Sequence, residues 1–221
     1  MSGFAGFPAD TVRFLNDLKA NSNREWFQAN KARYEAAVKD PAASFVAAMK
    51  FRLQAETDDL HSAKIFRINR DIRFSKDKTP YNSHLHILFR REGGRCALFF
   101  GLQTSGLVLG GGMMRFDKGQ LAAYRDAVHG KAGENLDRIL SDLIAAGGRL
   151  NDPPLKRVPK PFEQDHPRGA LLRRKGCAIW HDMPDLNIVH DPDFANLCAE
   201  QFSRFSELCR WFDRHVPPAS D

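Results

Sequence analysis

At 221 residues the chain has the length of one compact domain, with enough apolar side chain (43%) to build a core unaided. Its 27% charged content and formal charge of +6 exclude a fibrous or disordered class, and no run approaches the ~20 apolar residues a membrane span needs. The four cysteines (Cys96, Cys177, Cys198 and Cys209) form no CxxC pair, and MSGFAGFPADTVRFL lacks a secretory pattern, so reduced thiols and a cytoplasmic location are expected. Seventeen Phe against three Tyr and three Trp assign most aromatic mass to the core.

PADTVRFLNDLKAN opens with a helix start and places Phe14, Leu15 and Leu18 on one face. NREWFQANKARYEAAVKD is expected as a second helix capped by Asn23, with Asp40-Pro41 resetting the chain into a third that carries Phe45, Met49 and Leu53. The period then changes. In IFRINRDIRF, Phe66, Ile68, Ile72 and Phe74 share one parity, which predicts a strand with those residues facing the core. Residues 84–90 and 96–103 also favour strand, and Thr104-Ser105-Gly106 leads to LVLG as a hairpin. The triplet Gly110-Gly111-Gly112 lacks the GxxxxGK[ST] pattern of a phosphate loop and points to a bend or to close backbone packing.

Asp117 caps the next expected helix, and ENLDRILSDLIAAGG follows with Gly147 as its stop. Residues 149–168 hold five of the twelve prolines and read as loop. HPRGALLRRKG suggests a short helix, CAIWHDM a final strand, and DPDFANLCAEQFSRFSELCRWFDRHV one long closing helix capped by Asp191. The expected architecture is α+β, a central, mostly antiparallel sheet flanked by N-terminal and C-terminal helices. One domain over 1–221 is expected, with a helical part at 8–57, a sheet core at 64–116 and a helical and basic-loop part at 117–215.

Charge is concentrated in two blocks. Residues 64–95 hold nine basic side chains against three acids, and residues 149–175 hold eight against three, while the rest of the chain is net acidic. Such concentration favours anionic partners. With the expected strand parity, Arg67, Asn69, Asp71 and Arg73 line the face opposite the core, with Asp71 spaced to hold Arg67 or Arg73. Arg70 falls on the apolar parity, as a brace or at a bulge. SKDKTPY follows as a turn, where Lys76 and Lys78 add charge beside backbone amides. Arg forks beside a Lys-bearing turn suit a phosphate or carboxylate.

NREWF with Lys31 and Tyr34, FRINRDIRFSKDKTPY, and LKRVPKPFEQDHPRGALLRRK together resemble the uncharacterised microbial family known as domain of unknown function 2461. The family pattern departs from this chain at Asn82, where it has Lys, and at Pro161, where it has Gly. The resemblance implies one α+β domain and no established activity. That the motif positions are polar in all three blocks suggests one shared cleft, holding Arg67, Arg70, Asp71, Arg73, Lys76, Lys78, Tyr81, Lys156, Lys160, His166, Arg168 and Lys175, with Trp26 as an aromatic wall.

His84 and His86 alternate on one strand face, a permitted metal-ligand spacing, but without a third ligand they read as hydrogen-bonded strand histidines. No metal and no cofactor is expected. The leading expectation is a binding module for a phosphate-bearing or other anionic ligand, a nucleotide or nucleic acid, with no membrane partner. An enzyme acting on a phosphate-containing substrate, with Asp71 or His166 as acid/base, and a structural protein with a buried ion network are the alternatives.

Overall fold

The structure is a computed structural model that describes residues 3–219. It is α+β, and among the described residues six strands, β1 (His61–Ile65), β2 (His84–Arg91), β3 (Ala97–Gln103), β4 (Gly106–Met113), β5 (Arg149–Leu150) and β6 (Cys177–Met183), are hydrogen-bonded in the order β1-β2-β3-β4-β6-β5. The chain forms two compact units. The first runs to Phe89 and adds Phe99–Leu109 and Asp182–Gln201, and the second comprises Arg90–Leu98, Gly110–His181 and the chain from Phe202 onward.

In the first unit α1 (Ala9–Ala20) buries Phe14, Leu15 and Leu18 as its periodicity requires. α2 (Arg24–Ala29) starts at Asn23, whose side chain accepts the Trp26 N–H at 2.9 Å. The expected single second helix is instead interrupted at Asn30 and continues as α3 (Lys31–Tyr34), a π-helical turn (Glu35–Lys39) and α4 (Asp40–Thr57). Pro41 explains the turn. In an unbroken α-helix the Ala37 carbonyl would accept from the N–H of residue 41, which proline lacks, and the ring would press on that carbonyl. One extra residue in the turn relieves the clash, and the buried Thr11 hydroxyl of α1 donates to the Ala37 carbonyl instead. Asp40-Pro41 therefore does not reset the chain; helix runs through it.

The core of this unit is aromatic. Phe45 of α4 lies 4.7 Å from Phe100, 5.4 Å from Phe7 and 5.7 Å from Phe194, centroid to centroid. β2, β3 and β4 supply the inward residues Leu85, Ile87, Phe89, Phe100, Leu107 and Leu109. The hairpin turns at Thr104-Ser105, as expected.

The strand expected over 66–74 is absent. Residues 66–83 form an irregular loop, closed at its base by an antiparallel bridge between Asn69 and Tyr81. Of the four residues assigned to the core, only Ile68 is buried; Phe66 is 42% exposed and Phe74 95%. The physical reason is local. Asp71 accepts the Arg73 N–H and Asp77 accepts the Thr79 N–H, so both aspartates turn the backbone two residues on and compete with any ladder.

In the second unit the Asp117 side chain and Gln120 cap α5 (Lys118–His129) reciprocally, and Gly147, at φ +91°, ends the chain's exit from α6 (Ala132–Ala145). β5 (Arg149–Leu150) pairs antiparallel with β6 (Cys177–Met183), and α7 (Gly169–Leu172) lies between them in sequence. The glycine triplet is close packing within β4 rather than a bend. A Cβ on Gly111 would stand 2.5 Å from the Phe205 ring, and one on Gly112 2.4 Å from the Cys177 carbonyl oxygen. The single closing helix is in fact two, α8 (Phe194–Ser203) and α9 (Ser206–His215). The turn at Arg204-Phe205 sets the buried Phe205 ring against Gly111.

Candidate functional site

The residues expected to share a cleft fall in both units, and each set has its own geometry. In the first unit the 66–83 loop is held by its own side chains. Arg70 is the best-shielded of its arginines, 25% exposed against 77% for Arg73, and its guanidinium donates to Asp77 and to the Thr79 hydroxyl. It is a brace. That contact, with the Thr79 N–H and hydroxyl, holds the Asp77 carboxyl down to about 2. Arg73 forks onto Asp71 at 2.9 and 2.7 Å, which keeps that carboxyl below its ordinary range and ionised at neutral pH. Lys78 donates to the Ile72 carbonyl at 3.0 Å. Arg67 and Lys76 are exposed. Tyr81 is buried, its ring stacked 4.3 Å from Phe27, and Trp26 is half-buried 5.7 Å from Phe14. Both rings serve the packing beneath the first motif.

His84 and His86 are stacked, with centroids 3.7 Å apart and planes 19° from parallel. Both lie in β2, where the His86 carbonyl accepts the Phe66 N–H at 2.9 Å, while His86 Nε2 is buried without a partner. Burial, and then the neighbouring His84, push His86 down to about 4, while burial and the charge of Arg70 lower His84. Among the described residues no group of three metal-ligating side chains assembles here or elsewhere.

In the second unit the basic block folds into a depression of about 220 Å³ lined by Lys156, Arg157, Gln164, His166 and Arg173, with Val158, Pro167, Gly169 and Ala170. The loop that forms it is fixed by backbone contacts: Gln164 Nε2 donates to the Val158 carbonyl at 2.7 Å, and the Gly169 N–H to the His166 carbonyl at 2.8 Å. His166 Nδ1 accepts the Arg168 N–H at 3.1 Å, leaving Nε2 as the nitrogen for other partners. Among the described residues no carboxylate lines the depression. Of the residues singled out from sequence, Lys156 and His166 are here; Arg157, Gln164 and Arg173 were not named, although the charge run itself contains both arginines.

The other members of the expected set lie outside it. Arg168 donates to the carbonyls of Val128 (2.8 Å) and His129 (2.9 Å), satisfying the C-terminal end of α5. Lys160 and Lys175 are exposed, with the Lys175 carbonyl accepting the Phe116 N–H at 2.9 Å. Arg174, by contrast, is buried, donating to the Asn151 carbonyl at 2.8 Å.

A family model described as conserved hypothetical protein (DUF2461) matches residues 10–211, nearly the whole chain. No curated protein and no solved structure matches.

Proposed function

The chain belongs to the DUF2461 family, whose members are described only as conserved hypothetical proteins, and from its own residues we propose that it is a binding module for a phosphate-bearing or other anionic ligand. The observation that carries this reading is the depression of the second unit: three cationic side chains and a half-buried histidine converge on it, and no carboxylate among the described residues opposes them. Arg157 and Arg173 suit the flat, two-oxygen edge of a phosphate or carboxylate, and Lys156 adds a compact charge. Its volume fits a phosphoryl or carboxyl group with a small part of the molecule that bears it. Nucleotides and sugar phosphates are therefore the ligand classes to try first.

One observation favours catalysis as a second reading. His166 stands in the wall of the same depression with Nδ1 anchored by the Arg168 N–H, so Nε2 is positioned to exchange a proton with a bound phosphate ester. Asp71, ionised and tied to Arg73 in the first unit, supports no such role.

A thermal-shift panel of nucleotides, sugar phosphates and inorganic phosphate tests the proposal. A ligand at about 100 times its Kd adds about 2.7 kcal/mol of stability, and the gain should vanish in Lys156→Ala/Arg157→Ala. No shift with any anion, or an equal shift in the variant, would reject it. His166→Gln separates the two readings: binding kept with turnover lost indicates an enzyme.

A further inference from the structure

A sheet strand with one buried face ordinarily shows polar residues on the other. β2 does not. Leu85, Ile87 and Phe89 point to the core of the first unit, and the alternate positions carry the stacked rings of His84 and His86, both half-buried. On neighbouring β3, Phe99 lies edge-on to His86 with centroids 4.9 Å apart. It fits there because Gly101 has no side chain; a Cβ at that position would stand 2.7 Å from the Phe99 ring and 3.3 Å from His86 Cδ2. Phe66, where the chain leaves β1, adds a fourth ring 6.5 Å from His86.

The rim of this ring-covered face is cationic. Lys64 Nζ sits 5.3 Å over the Phe66 ring, Arg67 is exposed next in the chain, and the charge of Arg70 reaches His84. His86, held down to about 4, is uncharged at neutral pH and presents a neutral ring. A further mark of use is the His86 Nε2 left buried and unpartnered, because an apolar side chain would be the more stable occupant of that position.

Flat neutral rings flanked by positive charge match one ligand chemistry better than others. Single-stranded nucleic acid offers bases that stack on such rings and phosphates that meet such a rim. We propose that the face formed by His84, His86, Phe99 and Phe66 is a docking surface for single-stranded nucleic acid, whose phosphates pair with Lys64 and Arg67. This site lies in the first unit and does not depend on the depression of the second, so either reading stands or falls alone.

The test is fluorescence anisotropy of the full chain with a labelled oligonucleotide of about 12 nucleotides, a length typical for one such surface. Phe66→Ala and His84→Ala should each weaken binding by about tenfold or more, and His84→Phe, which keeps a flat ring, should restore it. Lys64→Glu should weaken binding and make its salt dependence shallower. Lys156→Ala/Arg157→Ala should leave oligonucleotide affinity unchanged. The proposal is overturned by no binding in the wild type, by equal affinity for duplex, by His84→Phe behaving like His84→Ala, or by loss of binding only in the second-unit variant. Binding to phosphatidylserine vesicles through the exposed Phe74, with no affinity for oligonucleotide, would assign the basic loop to a membrane surface and overturn it equally.

Discussion

Thr11→Val isolates one hydrogen bond without opening a cavity. Thr11 is fully buried on α1, and its hydroxyl donates to the Ala37 carbonyl in the π-helical turn. Valine keeps the shape of the side chain and removes the donor. Because Pro41 has no N–H to offer, the carbonyl loses the partner that replaced its helical one. An acceptor left unpaired in a core costs about 1–3 kcal/mol, so a loss near 2 kcal/mol is expected. For a chain of this size that lowers Tm by roughly 4–8 °C. Thr11→Ser, which keeps the hydroxyl and gives up one methyl group, should lose only about 1 kcal/mol. The sharper measurement is a double-mutant cycle in urea. Pro41→Ala supplies the missing N–H, so the Thr11→Val penalty should shrink to less than half in that background. A valine variant within about 0.5 kcal/mol of wild type, or a penalty undiminished by Pro41→Ala, would refute the account.

Two further outcomes follow from titratable groups. His86 is held down to about 4 and His84 is also lowered, so each binds its proton more readily in the unfolded chain. Stability is then greatest above the ordinary histidine value of 6.5 and falls as pH drops from there towards 4. Urea unfolding across that window should show the slope in wild type and a reduced slope in His86→Phe; identical slopes would contradict the assignment. Burial pushes Cys177 up to about 11 and also raises Cys96 and Cys198, whereas Cys209 is half-buried. Iodoacetamide on the native protein should therefore label Cys209 first, as read by peptide mass mapping, and labelling of Cys198 at the same rate would show that α8 opens.

What was legible in the sequence was chemistry that acts within a few residues. Asn23, Asp117 and Gly147 sit at helix ends because their own atoms satisfy backbone groups nearby or take up the backbone angle an exit needs, and all three do so in the structure. The alternation of Phe66, Ile68, Ile72 and Phe74 was equally local but misleading, since hydrophobic parity says nothing of competing side-chain bonds. The signal that would have corrected it was present: two aspartates, Asp71 and Asp77, each two residues before an N–H they bind, with Pro80 behind them. Arg70, out of place on the strand reading, is a brace once the segment is a loop. The π-helical turn was beyond reach because Thr11 meets the Ala37 carbonyl only after the helices of the first unit pack. In the second unit the charge run coincides with the loop that lines the depression. The depression also needed Gln164 to pin the backbone, a contact that composition cannot show.

The position of β1 at one end of the strand order has a consequence for how copies of this protein behave together. An end strand is the place where another chain can add itself, and Ile65 and Phe66, 40% and 42% exposed, make this one attractive. Lys64, exposed between Ala63 and Ile65, is the charge that opposes such addition. The same side chain thus discourages self-association while facing the ring surface. Neutralising it would mix the two effects, turning lost ligand affinity into apparent precipitation. Reversing its charge keeps copies apart and alters only what the surface attracts.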